Sequence, residues 1–149
     1  MRSATIRRAF ARDAEHITTL IQASGACRGS YASIISGYRV TVEYIDRHQV
    51  FAAADVAGRP LGFYALILDP SELDLVFVAD DAQGQGIGRH LVEHMIDQAG
   101  DAGLAAVRVV AHPPAEDFYR HLGAVRIGTV APTPPKITWE RPELRFALR

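Results

Sequence analysis

The chain has 149 residues, of which 48% are hydrophobic and 22% are charged, with 16 basic and 17 acidic side chains. These proportions are typical of one globular domain, here residues 1–149, and a chain of this length forms a core without needing metals or disulfides. The formal net charge of -1 and the lack of a Lys/Arg block exclude a nucleic-acid partner held by charge alone.

Cysteine content and the first residues bear on location. Cys27 is the only cysteine, which excludes an intrachain disulfide and favours a reducing compartment. The first eight residues lack the apolar stretch of a signal peptide, and no window approaches 18 uninterrupted apolar residues. We therefore expect a cytoplasmic protein with no membrane partner.

The first half of the chain predicts a strand and a helix, an irregular region, and then a hairpin. Thr41 is placed to cap a short helix. The two apolar runs of the hairpin are separated by a turn containing Gly58 and Pro60. In chain order the predicted elements are a strand at 5–9, a helix at 12–21, an irregular segment at 24–38, a short helix at 41–46, and strands at 50–56 and 61–68.

The second half predicts strands that alternate with helices. The clearest helix follows a glycine cluster, with Leu91 and Met95 on its apolar side and His90 and His94 on its polar side. Prolines bound a long loop before a final strand, which we expect at the sheet edge. In chain order the predicted elements are a strand at 72–78, a helix at 87–99, a strand at 105–111, a helix at 115–122, and strands at 124–130 and 144–148.

The glycine cluster is the most informative stretch of the sequence. A strand leads into three glycines at alternate positions and then directly into a helix, an arrangement in which free main-chain amides bind phosphate. A dinucleotide-binding loop needs its third glycine where Arg89 stands, and no Gly-Lys-Ser/Thr triplet exists for a P-loop. The loop consists of Gln83, Gly84, Gln85, Gly86, Ile87, Gly88 and Arg89.

The pattern Gln83-x-x-Gly86-x-Gly88 resembles the pyrophosphate loop of the GNAT superfamily of N-acetyltransferases. Residues 115–124, which read AEDFYRHLGA, resemble a second motif of that family, and the resemblance extends over nearly the whole chain. It implies an α/β fold with a mixed, largely antiparallel sheet of six to seven strands, a central splay and about four flanking helices. One departure is His112-Pro113-Pro114, where many members have an Asn that contacts the cofactor.

The same resemblance implies roles for individual residues. Acetyl-CoA would be the co-substrate, with its pyrophosphate on the loop from Gln83 to Arg89 and its pantetheine arm on the backbone of Phe77 and Val78. Tyr119 matches the position whose hydroxyl hydrogen-bonds or protonates the coenzyme thiolate. The alternative interpretation of Tyr119 is purely structural, an aromatic side chain packed at a helix end.

The chemistry also requires a proton acceptor. A lysine-like amine has a pKa of about 10.4, so that few molecules are neutral and nucleophilic at pH 7. Glu72 and Asp74 are predicted to share a face of the strand before the loop, and Glu72 resembles a general base of the family by its distance from Gln83. Glu72, Asp74 and a merely solvated strand end remain three alternatives.

The irregular region is predicted to help form the acceptor site. Arg28, Tyr31 and Tyr38 are the candidate substrate-binding residues, and Glu43 is a rare acid nearby. An acceptor amine that carries an anionic group would fit such a site better than a polycation would, although ordinary surface arginines explain the pattern equally well. The acceptor class stays broad: a primary amine of a small molecule or peptide.

The sequence allows two further interpretations, a zinc site and a non-catalytic sensor. His90-x-x-Glu93-His94 matches an inverted zinc-protease motif, but both histidines should face water and a zinc site needs a third ligand in a cleft, so we expect no metal. A domain of this kind could also bind acyl-CoA as a sensor without turnover. The edge strands leave a homodimer open.

Overall fold

In the computed structural model, residues 4–23 and 38–148 are described. These residues form seven strands and four α-helices. The strands are β1 (Thr5–Arg8), β2 (Gln49–Ala54), β3 (Pro60–Ile67), β4 (Glu72–Val78), β5 (Ala106–Val110), β6 (Val125–Val130) and β7 (Arg141–Ala147). The helices are α1 (Ala14–Gln22), α2 (Val42–Arg47), α3 (Ile87–Asp101) and α4 (Glu116–His121).

The strands form one sheet in the order β1-β2-β3-β4-β5-β7-β6. Every neighbouring pair is antiparallel except β4 and β5, which are parallel. The predicted hairpin of β2 and β3 is present, and Thr41 caps α2 by accepting a hydrogen bond from the amide of Tyr44. The fold class predicted from the sequence is therefore confirmed.

Apolar residues from the helices cover both faces of the sheet. On one face α3 buries Leu91 and Met95 completely, because its apolar positions recur at helical spacing. On the other face α1 buries Ile17 and Ile21 in a second apolar cluster. The sheet is thus covered on both sides, and β4 contributes residues to both apolar clusters.

The sheet opens between β4 and β5. Their parallel register contains the single pair Glu72 and Arg108, whereas β4 pairs with β3 along its whole length, as far as Gly62 with Val78. The later part of β4 therefore has an unpaired edge toward β5. Such an edge presents backbone donors and acceptors to a ligand, so the predicted central splay is present.

A bulge lies in β4 beside this opening. Leu73 pairs with Leu66 and Leu75 pairs with Ala65, which leaves Asp74 as an extra residue opposite the register shift. A bulge bends a strand and changes the direction of its side chains. Leu73 accordingly packs in the α3 cluster, while Leu75 packs against the α1 cluster.

The final strand corrects the expectation from sequence. Strand β7 is not at the edge but lies between β5 and β6, with Leu144 and Phe146 buried. Pro142, expected in a loop, belongs to β7, and its carbonyl accepts a hydrogen bond from the amide of Ala111 at 3.0 Å. A proline cannot donate, but it still accepts, and its place near the strand start satisfies that restriction.

The polar side of α3 gives a second correction. His90 is exposed as expected, but His94 is half-buried, with Nδ1 2.8 Å from the Tyr64 hydroxyl and its ring tilted against Phe51. Burial lowers the pKa of His94, which favours the neutral ring. Helical periodicity predicts which side of α3 faces the sheet. It does not predict how far the sheet extends under the edge of that side, where His94 lies. The helix also continues through Gly100 to Asp101.

Candidate active site

The loop between β4 and α3 ends in a helix start that lacks a side-chain cap. Gly86 is the N-cap residue and has a φ of +78°, a left-handed conformation that favours glycine. The amide of His90 donates to the carbonyl of Gly86 at 3.0 Å, so the amides of residues 87–89 precede the first intrahelical bond. Three free amides at a helix start carry partial positive charge and can bind phosphate.

A cavity of about 400 Å³, here called the loop cavity, lies against this helix start. A side chain at Gly88 would have its Cβ 3.3 Å from the ring of Phe118, so the narrow wall depends on glycine. Gln85, predicted as part of the binding loop, is exposed and does not line the cavity. The lining residues are Val76, Phe77, Val78, Ala82, Gln83, Gly84, Gly86, Ile87, Gly88, Arg89, His112, Ala115, Phe118 and Tyr119.

A second cavity of about 370 Å³, the strand cavity, lies along β4 on the other side of the opening. It shares four lining residues with the loop cavity: Val76, Phe77, His112 and Tyr119. A molecule that enters along the loop can therefore meet a molecule in the strand cavity at these residues. Its remaining lining residues are Ile21, Tyr38, Leu73, Asp74, Leu75, Val109, Val110, Lys136, Ile137 and Arg141.

Tyr119 lies where the two cavities meet. Its residue is buried, and its ring packs edge-on against Phe118 and Phe146. Burial raises the pKa of Tyr119 above the ordinary 10.0, so the hydroxyl stays protonated at neutral pH. It is therefore suited to donate a hydrogen bond to a group at the junction.

Glu72, one of the two predicted bases, is held in a chain of ion pairs. Arg108 donates from Nη1 to Glu72 at 2.6 Å and from Nε to Glu143 at 2.5 Å. Glu72 lines a separate small pocket, the ion-pair pocket, with Asp74, Arg108 and Arg141, and it lines neither larger cavity. Glu72 is therefore engaged by a cation away from the junction.

Asp74, the alternative base, projects from the bulge and lines the strand cavity as well as the ion-pair pocket. Its Oδ2 atom accepts a hydrogen bond from the Tyr44 hydroxyl at 2.5 Å. Burial, and then this hydrogen bond, raise the pKa of Tyr44, so Tyr44 remains a donor. A carboxylate has two oxygens, which leaves Oδ1 able to accept a further proton or water.

The structure brings together some of the predicted acceptor residues. Tyr38 lines the strand cavity, where burial raises its pKa, followed by the effect of Asp74. Arg28 and Tyr31 lie outside the described residues. His112, which stands near the place of the family's Asn, lines both cavities.

Sequence reasoning missed two contributors to these walls. Phe118 lines the loop cavity, and the signal was an aromatic pair, Phe118-Tyr119, at the start of a short helix. Arg141 lines the strand cavity and the ion-pair pocket. In the sequence, charged residues 141 and 143 alternate with apolar residues 142 and 144, a pattern that predicts a strand with one buried face. The pattern does not predict which residues its polar face contacts.

The described part of the chain contains neither a metal-binding cluster nor a helix that could span a membrane. Residues 4–23 and 38–148 hold no group of three or more His, Cys, Asp or Glu side chains placed to bind a metal. No helix in these two ranges is long and apolar enough to cross a bilayer.

The start of α3 therefore lies beside the opening of the sheet, which leads from the loop cavity to the strand cavity. Residues 31–131 match the family model of the acetyltransferase (GNAT) domain. Because this match covers more than half of the chain, the chain belongs to the GNAT family of acetyltransferases. The resemblance inferred from the two motifs is therefore confirmed.

Individual relatives agree with this assignment. A mycothiol acetyltransferase of Pseudarthrobacter chlorophenolicus is 32% identical over 110 residues, which cover 66% of this chain and 34% of the relative. The chain thus spans about a third of that protein. The peptidyl-lysine N-acetyltransferase YjaB of Salmonella typhimurium is 27% identical over 123 residues, covering 79% of this chain and 81% of the relative.

The fold also matches a solved structure. A GCN5-related N-acetyltransferase from Rhodopseudomonas palustris superimposes with a TM-score of 0.86 at 20% sequence identity. The superposition covers 99% of this chain and 98% of the other chain. At this identity the likeness shows the fold, and it agrees with the sheet and helices described above.

Proposed function

We propose that this protein transfers the acetyl group of acetyl-CoA to a primary amine of a small molecule or peptide, by direct attack in a ternary complex. The observation that carries the proposal is the junction of the two cavities at Val76, Phe77, His112 and Tyr119. A thioester reaching the junction from the loop cavity would face an amine in the strand cavity. Proximity of this kind supplies much of the rate of a two-substrate reaction.

The loop cavity fits the carrier. The pyrophosphate would bind the amides of residues 87–89, and Gln83, Gly84 and Gly86 would allow its close approach. The pantetheine arm would run along the open edge of β4 and hydrogen-bond the backbone of Phe77 and Val78, as an added strand does. The residues present therefore fit acetyl-CoA.

In the reaction the amine nitrogen bonds to the acetyl carbon, the carbon–sulfur bond breaks, and the amine loses a proton. We assign the proton to Asp74, directly or through water, because Asp74 lines the strand cavity while Glu72 is bound by Arg108 outside it. Tyr44, which donates to Asp74 at 2.5 Å, would hold the carboxylate in position.

The departing thiolate would accept a hydrogen bond from the Tyr119 hydroxyl. Burial raises the pKa of Tyr119, which makes complete proton transfer to a thiolate less favourable than a hydrogen bond. Stabilisation of developing charge by a fixed donor is an effective form of catalysis. The proposal therefore gives Tyr119 a donor role without requiring a tyrosinate.

We also propose a cytoplasmic location, since Cys27 is the only cysteine of the chain. A homodimer would form most readily through edge strand β6, where Val125 and Ile127 are more than half exposed. Neither proposal changes the chemistry of the cavities.

The test measures thiol release from acetyl-CoA with a panel of amines, for the wild type and for Tyr119→Phe. We expect turnover on at least one amine and a fall in kcat of about 100-fold in the variant, with unchanged CoA affinity. Tyr64→Phe is the matched control, because Tyr64 is equally buried but bonds His94 and lines neither cavity.

Two results would count against the proposal. Tight CoA binding with no turnover on any amine would support a non-catalytic acyl-CoA module instead. Equal kcat values for wild type and Tyr119→Phe would remove Tyr119 from the chemistry.

A further inference from the structure

Arg141 differs from the other arginine at the opening of the sheet. Arg108 is neutralised by two carboxylates, Glu72 and Glu143. The side chain of Arg141 forms no ion pair with the described residues, and its Nε atom is buried without a hydrogen-bond partner among them. Glu72 and Asp74 line the ion-pair pocket with Arg141, but neither is paired with its guanidinium, which therefore carries a positive charge in a half-buried place.

An arginine side chain in this position is energetically unfavourable unless a ligand supplies an acceptor for it. A buried donor without an acceptor is unfavourable, and so is a charge held partly away from water without a partner. Residues outside the described ranges contribute no carboxylate, because residues 1–3, 24–37 and 149 contain no Asp or Glu. The chain therefore offers no acid from those segments to neutralise Arg141.

Arg141 also shares a cavity with an acid. The strand cavity is lined by Asp74 in β4 and by Arg141 in β7, together with the junction residue Tyr119. Lys136 lines the same cavity, so its walls carry one carboxylate and two basic side chains. A molecule with an amine and an acidic group would place its amine near Asp74 and its acidic group near Arg141.

We propose that Arg141 determines acceptor specificity by binding a carboxylate carried by the acceptor amine. The terminal nitrogens of a guanidinium match the two oxygens of a carboxylate and bind it with parallel hydrogen bonds. This inference rests on the proposed function and narrows it, since the substrate becomes a zwitterionic amine and a polycation is disfavoured.

The test compares pairs of acceptors that differ only in this charge: glycine, β-alanine and γ-aminobutyrate, each against its own primary amide. The quantity is the ratio of kcat/KM for the acid to that for the amide, measured for wild type, Arg141→Gln and Arg141→Lys. Comparing ratios between variants cancels the different intrinsic reactivity of the amines. Arg145→Gln is the control, because Arg145 lies on the same strand but is exposed and lines neither cavity.

We expect the best acid to amide ratio to fall at least about tenfold in Arg141→Gln, through KM for the acid. Arg141→Lys should keep part of the preference, and Arg145→Gln all of it. CoA affinity should match the wild type in both Arg141 variants, and the melting temperature of Arg141→Gln should not fall below that of the wild type. An unchanged ratio in Arg141→Gln, or a loss of CoA affinity there, would overturn the inference.

The design separates this inference from the proposed function. If no amine is acetylated, calorimetry on the CoA-saturated protein measures binding of the three acids themselves. Binding that Arg141→Gln abolishes would support the carboxylate site while the transferase proposal fails. Absence of binding would overturn the carboxylate site. Turnover of the amines with an acid to amide ratio that Arg141→Gln leaves unchanged would overturn the site and leave the transferase proposal standing.

Discussion

The loop cavity and the strand cavity are similar in size, about 400 and 370 Å³, but they are built from different groups. Glycines and main-chain amides at the start of α3 form the polar part of the first. Side chains distant in the chain, among them Asp74, Lys136 and Arg141, form the polar part of the second. A backbone site depends on chain conformation, whereas a side-chain site depends on each residue it contains. We therefore expect some substitutions to weaken CoA binding alone and others to impair only the reaction with the acceptor amine.

The largest expected effect separates Asp74 from Glu72. Asp74→Asn should lower kcat about 100-fold at pH 7 by removing the proton acceptor, and Asn still accepts the hydrogen bond from Tyr44. Glu72→Gln should lower kcat far less, since Glu72 lies outside the strand cavity. Steady-state kinetics between pH 7 and 10 check this, because rising pH deprotonates the amine and should restore much of the Asn variant's activity.

A greater loss in Glu72→Gln than in Asp74→Asn would contradict this assignment and return the base to Glu72. A pH-independent defect in Asp74→Asn would indicate that Asp74 acts through structure alone.

The next effect tests the backbone site. Gly86→Val should weaken CoA binding at least about tenfold, because a left-handed residue with a side chain is strained by about 1–2 kcal/mol or more and the loop must shift. Gly58→Val is the matched control: Gly58 has a φ of +84°, also has open space around its Cβ position, and lies in the β2–β3 turn. Calorimetric CoA titration measures the difference.

Both glycine variants should lose similar stability to denaturant, since their strain is similar. Equal CoA affinity in the two variants would show that the conformation of Gly86 does not matter for binding.

A smaller effect concerns charge at the loop. Arg89 is exposed, pairs with Glu93 at 3.3 Å and lines the loop cavity. Arg89→Gln should weaken CoA binding about threefold at low salt, and the difference should vanish at high salt because exposed charges are screened. Arg120→Gln, an exposed arginine outside the loop cavity, should have no effect. A salt-independent loss of affinity would argue for a specific contact instead.

The smallest effect concerns kcat at alkaline pH, where we expect no change that depends on Tyr119. Because burial raises the pKa of Tyr119 above 10.0, its hydroxyl stays protonated as pH rises, and kcat should show no alkaline loss belonging to Tyr119 up to about pH 10. The pH profile of kcat for wild type and Tyr119→Phe measures this. A wild-type decline near pH 9 that the variant lacks would show that Tyr119 ionises there.

The loop cavity could be predicted from the sequence because its parts are close in the chain. The strand, the glycines and the first turn of α3 occupy one continuous segment, and their hydrogen bonds are local. The resemblance to the two GNAT motifs predicted Gln83, Gly86, Gly88 and Tyr119, and all four line the loop cavity. The prediction was less accurate for Gln85, which is exposed and does not line the cavity although it lies between two lining glycines.

The acceptor side could not be predicted in the same way. Tyr44 meets Asp74 across 30 positions, and Arg108 meets Glu72 across 36. The insertion of β7 between β5 and β6 brings Arg141 to the opening, whereas the sequence favoured an edge strand. Such contacts depend on strand order and on the bulge at Asp74, which no local pattern encodes.

The sequence by itself determined the class of fold and the glycine loop before α3, because hydrophobic periodicity and glycine conformation act over a few neighbouring residues. Tertiary structure alone decided which carboxylate reaches the strand cavity and which arginine remains unpaired. Those outcomes depend on the packing of distant strands and on competition among charges for partners, and both are settled only when the whole sheet has assembled.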